Sequence, residues 1–299
     1  MIGLEMGVFG LTAPFLVASA RDLFAARGLD VTWSRVTSSD EQFRDFASGR
    51  YQLLQTAFDN VASYHSNAGN AVGRRLDVRA LFALDAGMNL TLTSVPGVED
   101  VAALRGRTVS VDSRTTGFAF VLFGLLERAG LGEDDYEVAS HGGVVTRMQA
   151  LLAGDAEASL LSNGFEVLGA QQGLVPLATS KDLIDPYLGS VLALSAGWYA
   201  DNRGAAHAFR DAYEEALDYT LSAGNRSDVV ALISSARGVT HVQAEAILAA
   251  ELGELGVARS TAISPEAARN VLTLRARFGG FETAHDPGSL EDLRIALLA

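Results

Sequence analysis

The chain has 299 residues, 48% of them hydrophobic, which is enough material for two domains of ordinary size with apolar cores. Its 23 basic and 36 acidic residues give a formal net charge of −13, and no basic run is present. A nucleic-acid backbone would be repelled, so nucleic acid is excluded as an expected partner. The absence of cysteine excludes disulfides, thiolate metal sites and a cysteine nucleophile.

The amino-terminal part of the chain alternates strand and helix patterns with short loops, which is typical of α/β domains with mostly parallel sheets. Gly28 and Gly49 lie where left-handed caps would end two of the helices. The strands and helices predicted for this first unit are, in chain order, 3–8, 14–27, 29–33, 40–48 and 53–56. The pattern therefore predicts a β-α-β-α-β unit.

A second unit of the same kind follows the segment 81–94, which indicates two extended pieces and a presumed hinge. Its predicted elements are 108–111, 118–129, 136–138, 146–153, 158–161 and 165–172. Beyond Trp198 the pattern is helical only, near 205–223, 228–235, 242–252 and 265–278. We predict two lobes, lobe 1 formed by residues 1–86 and 192–299 and lobe 2 by residues 87–191, with the helical tail packing on lobe 1.

Four polar loops each follow a predicted strand and precede a predicted helix. They are 9–14, 56–60, 112–118 and 161–165. In open α/β sheets, ligands bind beyond the carboxyl ends of the strands, where helix N-termini offer free N–H groups. The alternative for each hydroxyl or carboxylate in these loops is ordinary helix capping. Taken together, the four loops predict one ligand cleft between the lobes.

Several short motifs resemble the type II periplasmic binding protein fold, in particular its nitrate/sulfonate/taurine-binding and Thi5-like (NMT1/THI5-like) group. The motifs are Gly28-Leu29-Asp30-Val31, Ser48-Gly49, Thr56-Ala57-x-Asp59-Asn60, Leu104-Arg105-Gly106-Arg107-Thr108-Val109 and Val111-Asp112. The resemblance extends from about Gly3 to about Tyr199. It implies an α/β fold of two lobes joined by two crossover strands, with a small molecule held between helix N-termini at their interface.

The resemblance also implies which residues face the ligand, because positions in this chain match the ligand-facing turns of the group. They are Leu11, Thr12, Ser38, Ser39, Asp59, Asn60, Asp112, Thr115, Thr116, Gly117, Ser162 and Asn163. From their places in the loops and the hinge we add Arg114, Phe118, which could pack on a flat ligand, and Asn89. Arg114 and Arg147 could each hold an anion, and Arg114 is preferred because it lies within the loop. Asn89 could instead bind the hinge backbone.

Two functions remain open at the level of the sequence. One is the binding of an organic anion or a small polar or heteroaromatic solute, as the resemblance to solute-binding proteins implies. The other is a cytoplasmic enzyme on the same fold, catalysing elimination, decarboxylation or cyclisation with Asp112 or His141 as acid or base. A cysteine-dependent desulfinase, which also shares the fold, is excluded because the chain has no cysteine.

The sequence indicates no cofactor and no metal site, since the histidines lack ligand spacing. No apolar run approaches the roughly 20 residues of a membrane span, so we expect no membrane insertion. The first residues indicate a strand rather than a signal peptide. We therefore expect a cytoplasmic protein, or a periplasmic or lipid-anchored one with permease and ATPase partners if a signal had been removed.

Overall fold

Two five-stranded sheets form the framework of the structure, a computed structural model that describes residues 1–282 and 290–294. The strand order is β2-β1-β3-β10-β4 in the sheet of lobe 1 and β7-β6-β8-β5-β9 in the sheet of lobe 2. The strands are β1 Ile2–Val8, β2 Leu29–Arg35, β3 Leu53–Ala57, β4 Val78–Ala83, β5 Thr91–Ser94, β6 Thr108–Val111, β7 Glu137–Ser140, β8 Ala158–Leu161, β9 Val175–Thr179 and β10 Ser190–Ser195.

Helices cover both sheets, as the alternating pattern predicts. They are α1 Ala13–Ala20, α2 Ser39–Ala47, α3 Phe58–Ser66, α4 Gly117–Arg128, α5 Val144–Ala153, α6 Phe165–Gln171, α7 Ala196–Asp201, α8 Arg203–Leu221, α9 Arg226–Arg237, α10 His241–Glu251 and α11 Pro265–Phe278. Within the described residues, no helix combines the length and the apolar character that crossing a membrane would require.

Each sheet is mixed rather than wholly parallel. In lobe 1, β1 pairs in parallel with β2 and β3, whereas β10 runs antiparallel to β3 and β4. In lobe 2, β6 pairs in parallel with β7 and β8, whereas β5 runs antiparallel to β8 and β9. The sequence pattern did not indicate β9, because Pro176 interrupts the run of residues that would otherwise predict a strand. As an edge strand, β9 tolerates the missing N–H.

The first helix is shorter than the predicted range 14–27. It ends at Ala20, and Asp22 then takes a left-handed conformation with φ 54°. The turn directs the side chain of Phe24 onto Phe209 of α8, with ring centroids 4.7 Å apart. A tertiary contact therefore ends a helix that the local pattern would have continued.

The helical tail packs on lobe 1 and also reaches lobe 2. Helices α8 and α9 pack on α1, as predicted, but α10 contacts α6 and α11 contacts both α3 and α4. Two crossover segments, 84–90 and 180–189, connect the sheets. One continuous apolar core includes Phe43 of lobe 1, Leu92 of lobe 2 and Leu274 of α11. The lobes are thus joined by apolar packing as well as by two chain crossings.

Candidate functional site

A cleft between the lobes encloses a cavity of about 50 Å³. Both lobes contribute to its walls, and nine of the residues predicted to face a ligand lie there. They are Ser38, Ser39, Asn60, Asp112, Thr116, Gly117, Phe118, Ser162 and Asn163. Residues that are far apart in the sequence thus meet in one enclosed space.

Four helices begin at the wall of this cleft. The residues that precede α2, α3, α4 and α5 are Ser38, Ala57, Thr116 and Gly143, and all four line the cavity. Ser38 and Thr116 also cap their helices, because each side chain accepts a hydrogen bond from a backbone N–H three residues later. The N-terminal ends of helices carry partial positive charge, so this arrangement favours an anionic or electron-rich group.

A carboxylate and a guanidinium also line the cleft. Asp112 Oδ1 accepts a hydrogen bond of 2.7 Å from Thr116 Oγ1. Arg147 is buried and donates to the carbonyl oxygens of Gly142 at 2.7 Å and Leu160 at 3.1 Å, and to Ser159 Oγ at 3.2 Å. Burial lowers the pKa of Arg147, while the nearby Asp112 opposes this shift. These three bonds hold the guanidinium rigidly at the cleft wall, and it keeps further N–H donors.

Three amide side chains complete the polar surface of the cleft. Asn60 Nδ2 donates to Ser39 Oγ at 3.0 Å and to Thr56 Oγ1 at 3.2 Å. Gln55 is buried, and its Oε1 has no hydrogen-bond partner among the described residues. Asn163 takes a left-handed conformation, with φ 57°, in the turn before α6. The cleft therefore presents both donors and acceptors.

Sequence reasoning missed Gln55 and preferred Arg114 to Arg147. The structure places Arg114 on the exposed side of its loop and Arg147 in the cleft wall. A signal for Gln55 was present, because it follows Leu53 and Leu54 in the predicted strand 53–56 and directly precedes the polar loop 56–60. No local signal distinguishes Arg147 from a surface arginine, since its burial depends on Leu160 of the neighbouring strand.

Asp59 was predicted to face the ligand, but it lies behind the cleft wall in a buried ion pair. Its two oxygens accept hydrogen bonds of 2.7 and 2.6 Å from Arg275 of α11. Arg275 also donates to the carbonyl oxygen of Thr115 at 3.0 Å. Asp59 therefore connects lobe 1 through α11 to a loop of lobe 2.

The other predicted residues lie beside the cleft. Thr115 is exposed and borders a neighbouring surface groove, whereas the carbonyl of Leu11 accepts a hydrogen bond of 3.1 Å from Arg237. Thr12 and Asn89 line a second cavity of about 20 Å³, here named the inner chamber, which shares Gln55 with the cleft. Asn89 also binds backbone, because its Nδ2 donates to the carbonyl of Ala250 at 2.8 Å.

The two residues considered as acid or base are separated by the structure. Asp112 lines the cleft, but His141 does not, and its Nδ1 lies 2.9 Å from Ser110 Oγ. A catalytic acid or base must lie within hydrogen-bond reach of the reacting group or one water away. Of these two residues, only Asp112 lies where it could contact a molecule bound in the cleft.

Comparisons with known proteins agree with this architecture. Among solved structures, similarity extends to a Bordetella bronchiseptica RB50 protein, with a TM-score of 0.82 and 17% identity over 99% of this chain and 95% of that one. The alkanesulfonate-binding protein SsuA from Xanthomonas axonopodis pv. citri, bound to MOPS, has a TM-score of 0.78 and 15% identity over 95% and 96% of the two chains. The periplasmic nitrate-binding protein NrtA from Synechocystis PCC 6803 has a TM-score of 0.77 and 14% identity over 96% and 84%.

A search of curated protein sequences finds no significant match. At the identities above, the structural similarities establish the fold, which is the two-lobed α/β fold predicted from the sequence. The family is established separately, because a model described as NMT1/THI5 like matches residues 11–225, well over half of the chain. The chain belongs to the NMT1/THI5-like family.

Proposed function

We propose that this protein binds a small organic molecule in the cleft between its lobes and acts as a solute-binding protein. The observation that carries the proposal is that loops from both lobes, including the starts of four helices, line one cavity. Membership of the NMT1/THI5-like family supports it. So does the similarity in fold to proteins named as alkanesulfonate-binding and nitrate-binding.

The lining of the cleft favours a compact ligand with an anionic or strongly polar group. Four helix N-termini and the fixed guanidinium of Arg147 would stabilise negative charge. Phe9 and Phe118 supply apolar contact area, while Asn60 and Asn163 supply directional hydrogen bonds. A binding protein needs only such complementary contacts, without a nucleophile or a cofactor.

Binding would be coupled to closure of the lobes, because polar contacts cross between them in this structure. Arg275 joins Asp59 of lobe 1 to Thr115 of lobe 2. Arg237 of α9 donates to the carbonyl of Asn163 in lobe 2 at 2.7 Å. A ligand that contacts both lobes adds to these bonds and shifts the population towards the closed form. In a transport role, a permease and an ATPase would be the partners, and the protein would work outside the cytoplasm.

The test is a ligand screen by thermal shift, combined with native mass spectrometry of the protein before and after incubation with each hit. Asn163→Gly removes a cleft amide while keeping the left-handed backbone that glycine adopts freely. Asp22→Gly is the matched control, because Asp22 is also left-handed, with φ 54°, but lies outside the cleft. We expect Asn163→Gly alone to reduce the ligand-induced rise in melting temperature.

Two results would overturn the proposal. If both glycine variants respond to a hit as the unmodified protein does, the hit does not bind in this cleft. If a hit is converted to a product of different mass, the protein is an enzyme, and Asp112 would be the first residue to replace.

A further inference from the structure

We propose that the inner chamber is a subsite for a primary ammonium group, so that the ligand carries such a group in addition to the part held in the cleft. This inference rests on the proposed function. The helix N-termini of the cleft favour negative charge, so they would not select the compact cationic group that the inner chamber would bind.

The inner chamber lies next to the cleft and shares part of its lining. Gln55, Met88, Asn163 and Ser190 line both cavities, so a ligand group that reaches the chamber from the cleft would pass between these side chains. The rest of its lining comes mainly from α10, the 84–90 crossover and the start of α1. Its position therefore places it within reach of a molecule that occupies the cleft.

The chamber contains buried hydrogen-bond acceptors, one of which the protein leaves unused. Gln55 Oε1 is buried and has no hydrogen-bond partner among the described residues, and Thr12 Oγ1 is buried beside the hydroxyl of Tyr213. Gln55 as a whole is only 4% exposed. Burial and the charges of Asp85 and Glu251 raise the pKa of Tyr213, whereas its hydrogen bond with Thr12 opposes the rise. Because unpaired buried polar groups are costly, this set favours an N–H-rich group.

The chamber also carries negative charge that is not fully balanced. Glu251 pairs with Arg237 at 2.5 Å and accepts from the N–H of Ala13 at 2.8 Å. Asp85 accepts from the backbone N–H groups of Gly87 at 2.9 Å and Ser190 at 2.7 Å, and no cation pairs with it in the described part of the chain. Burial raises the pKa of Asp85 to about 6, so it is mostly ionised above neutral pH. A cation in the chamber would compensate this buried charge.

The size of the chamber restricts the cation. A cavity of roughly 10–15 Å³ holds one water molecule, and the chamber has about 20 Å³. A primary ammonium head is close to water in size and has three N–H donors, whereas a trimethylammonium head is larger and has none. The chamber should therefore accept the first and reject the second.

The experiment is a calorimetric titration with n-propylammonium chloride at constant ionic strength and pH 8, with n-propyltrimethylammonium chloride as the size control. Thr12→Val removes the hydroxyl at nearly constant shape. It loses no helix cap, because the side chain of Thr12 makes no capping hydrogen bond to α1. Gln55→Leu removes the amide, and Gln172→Leu on the surface is its matched control. We expect n-propylammonium to bind the unmodified protein, and Thr12→Val and Gln55→Leu each to weaken it by about tenfold or more.

The proposal is overturned if n-propylammonium does not bind, if n-propyltrimethylammonium binds equally well, or if Gln172→Leu weakens binding as much as Gln55→Leu. Hits from the ligand screen separate this inference from the proposed function. If screen hits that lack an amine bind Thr12→Val and the unmodified protein equally while n-propylammonium fails to bind, the ammonium subsite is wrong and the solute-binding function stands. If n-propylammonium binds as expected and the screen yields no hit, the subsite stands and the broader function is in question.

Discussion

The ion pair between Asp59 and Arg275 offers the sharpest test of how the lobes are held together. The two side chains are 216 positions apart in sequence, and they are 1% and 3% exposed. Arg275 makes bonds of 2.7 and 2.6 Å to the carboxylate and 3.0 Å to the carbonyl of Thr115, and it lies over the ring of Phe120 with 5.1 Å to the centroid. One guanidinium thus contacts residues of both lobes.

The expected loss of stability follows from the burial of both charged groups. Asp59→Asn leaves a buried guanidinium without its counter-charge, and Arg275→Met leaves a buried carboxylate, so each should lower the free energy of unfolding by about 3–5 kcal/mol. The double variant has no buried charge and should be less destabilised than either single variant. The assay is urea unfolding at pH 7 followed by circular dichroism. Arg226→Met is the control, because the Arg226–Glu245 pair is much more exposed and should contribute about 0–1 kcal/mol.

The reasoning would be refuted if the two single variants had additive effects in the double variant, or if either cost no more than Arg226→Met. A second readout is the radius of gyration in solution without ligand. Because Arg275 joins α3 to the 113–117 loop, we expect Arg275→Met to increase this radius, whereas Arg226→Met should not.

Two further predictions concern other contacts between the lobes. Burial, together with the charge of Glu251, raises the pKa of Glu166 from 4.5 to about 7. The folded protein therefore binds this proton more tightly than the unfolded chain does. The stabilisation that this proton provides is present below pH 4.5 and is lost as the pH rises to about 7. Glu166→Gln should therefore raise the free energy of unfolding above pH 7 by up to about 3 kcal/mol. Urea unfolding between pH 5 and 8 measures this difference. For Gly117→Ala, a Cβ would lie 2.5 Å from Cβ of Asp59, so we expect a loss of about 1–3 kcal/mol. Gly10→Ala, where no atom lies within 4 Å of a Cβ, should change thermal unfolding little, and equal effects of the two glycine substitutions would contradict the structure.

The side chains that line the cleft and the side chains that connect the lobes are held by different hydrogen bonds. Side chains such as Asn60 and Arg147 are oriented towards the cavity by bonds to their own lobe. Arg275 and Arg237 instead connect the lobes around it. The two sets of contacts can therefore be altered separately, and a change in the contacts between the lobes should alter ligand affinity only through the coupling between binding and closure.

Much of the fold could be predicted because the signals are local. Strands β6 and β8 occupy the predicted ranges 108–111 and 158–161, and α11 has the predicted bounds 265–278. Apolar periodicity and a left-handed glycine depend on a few neighbouring residues and are visible in any single sequence. The direction of the strands is different, because β5 and β10 become antiparallel only through their partners in the sheet.

The sequence by itself determined the two α/β units and the loops that follow their strands. Only the tertiary structure decided which residues of those loops face the cleft. Asp59 and Asn60 are neighbours at the start of α3, yet Asn60 lines the cavity and Asp59 pairs with Arg275. Successive side chains on a helix diverge by about 100°, so adjacent polar residues meet different surroundings. What those surroundings contain depends on chain segments hundreds of residues away, which no local pattern encodes.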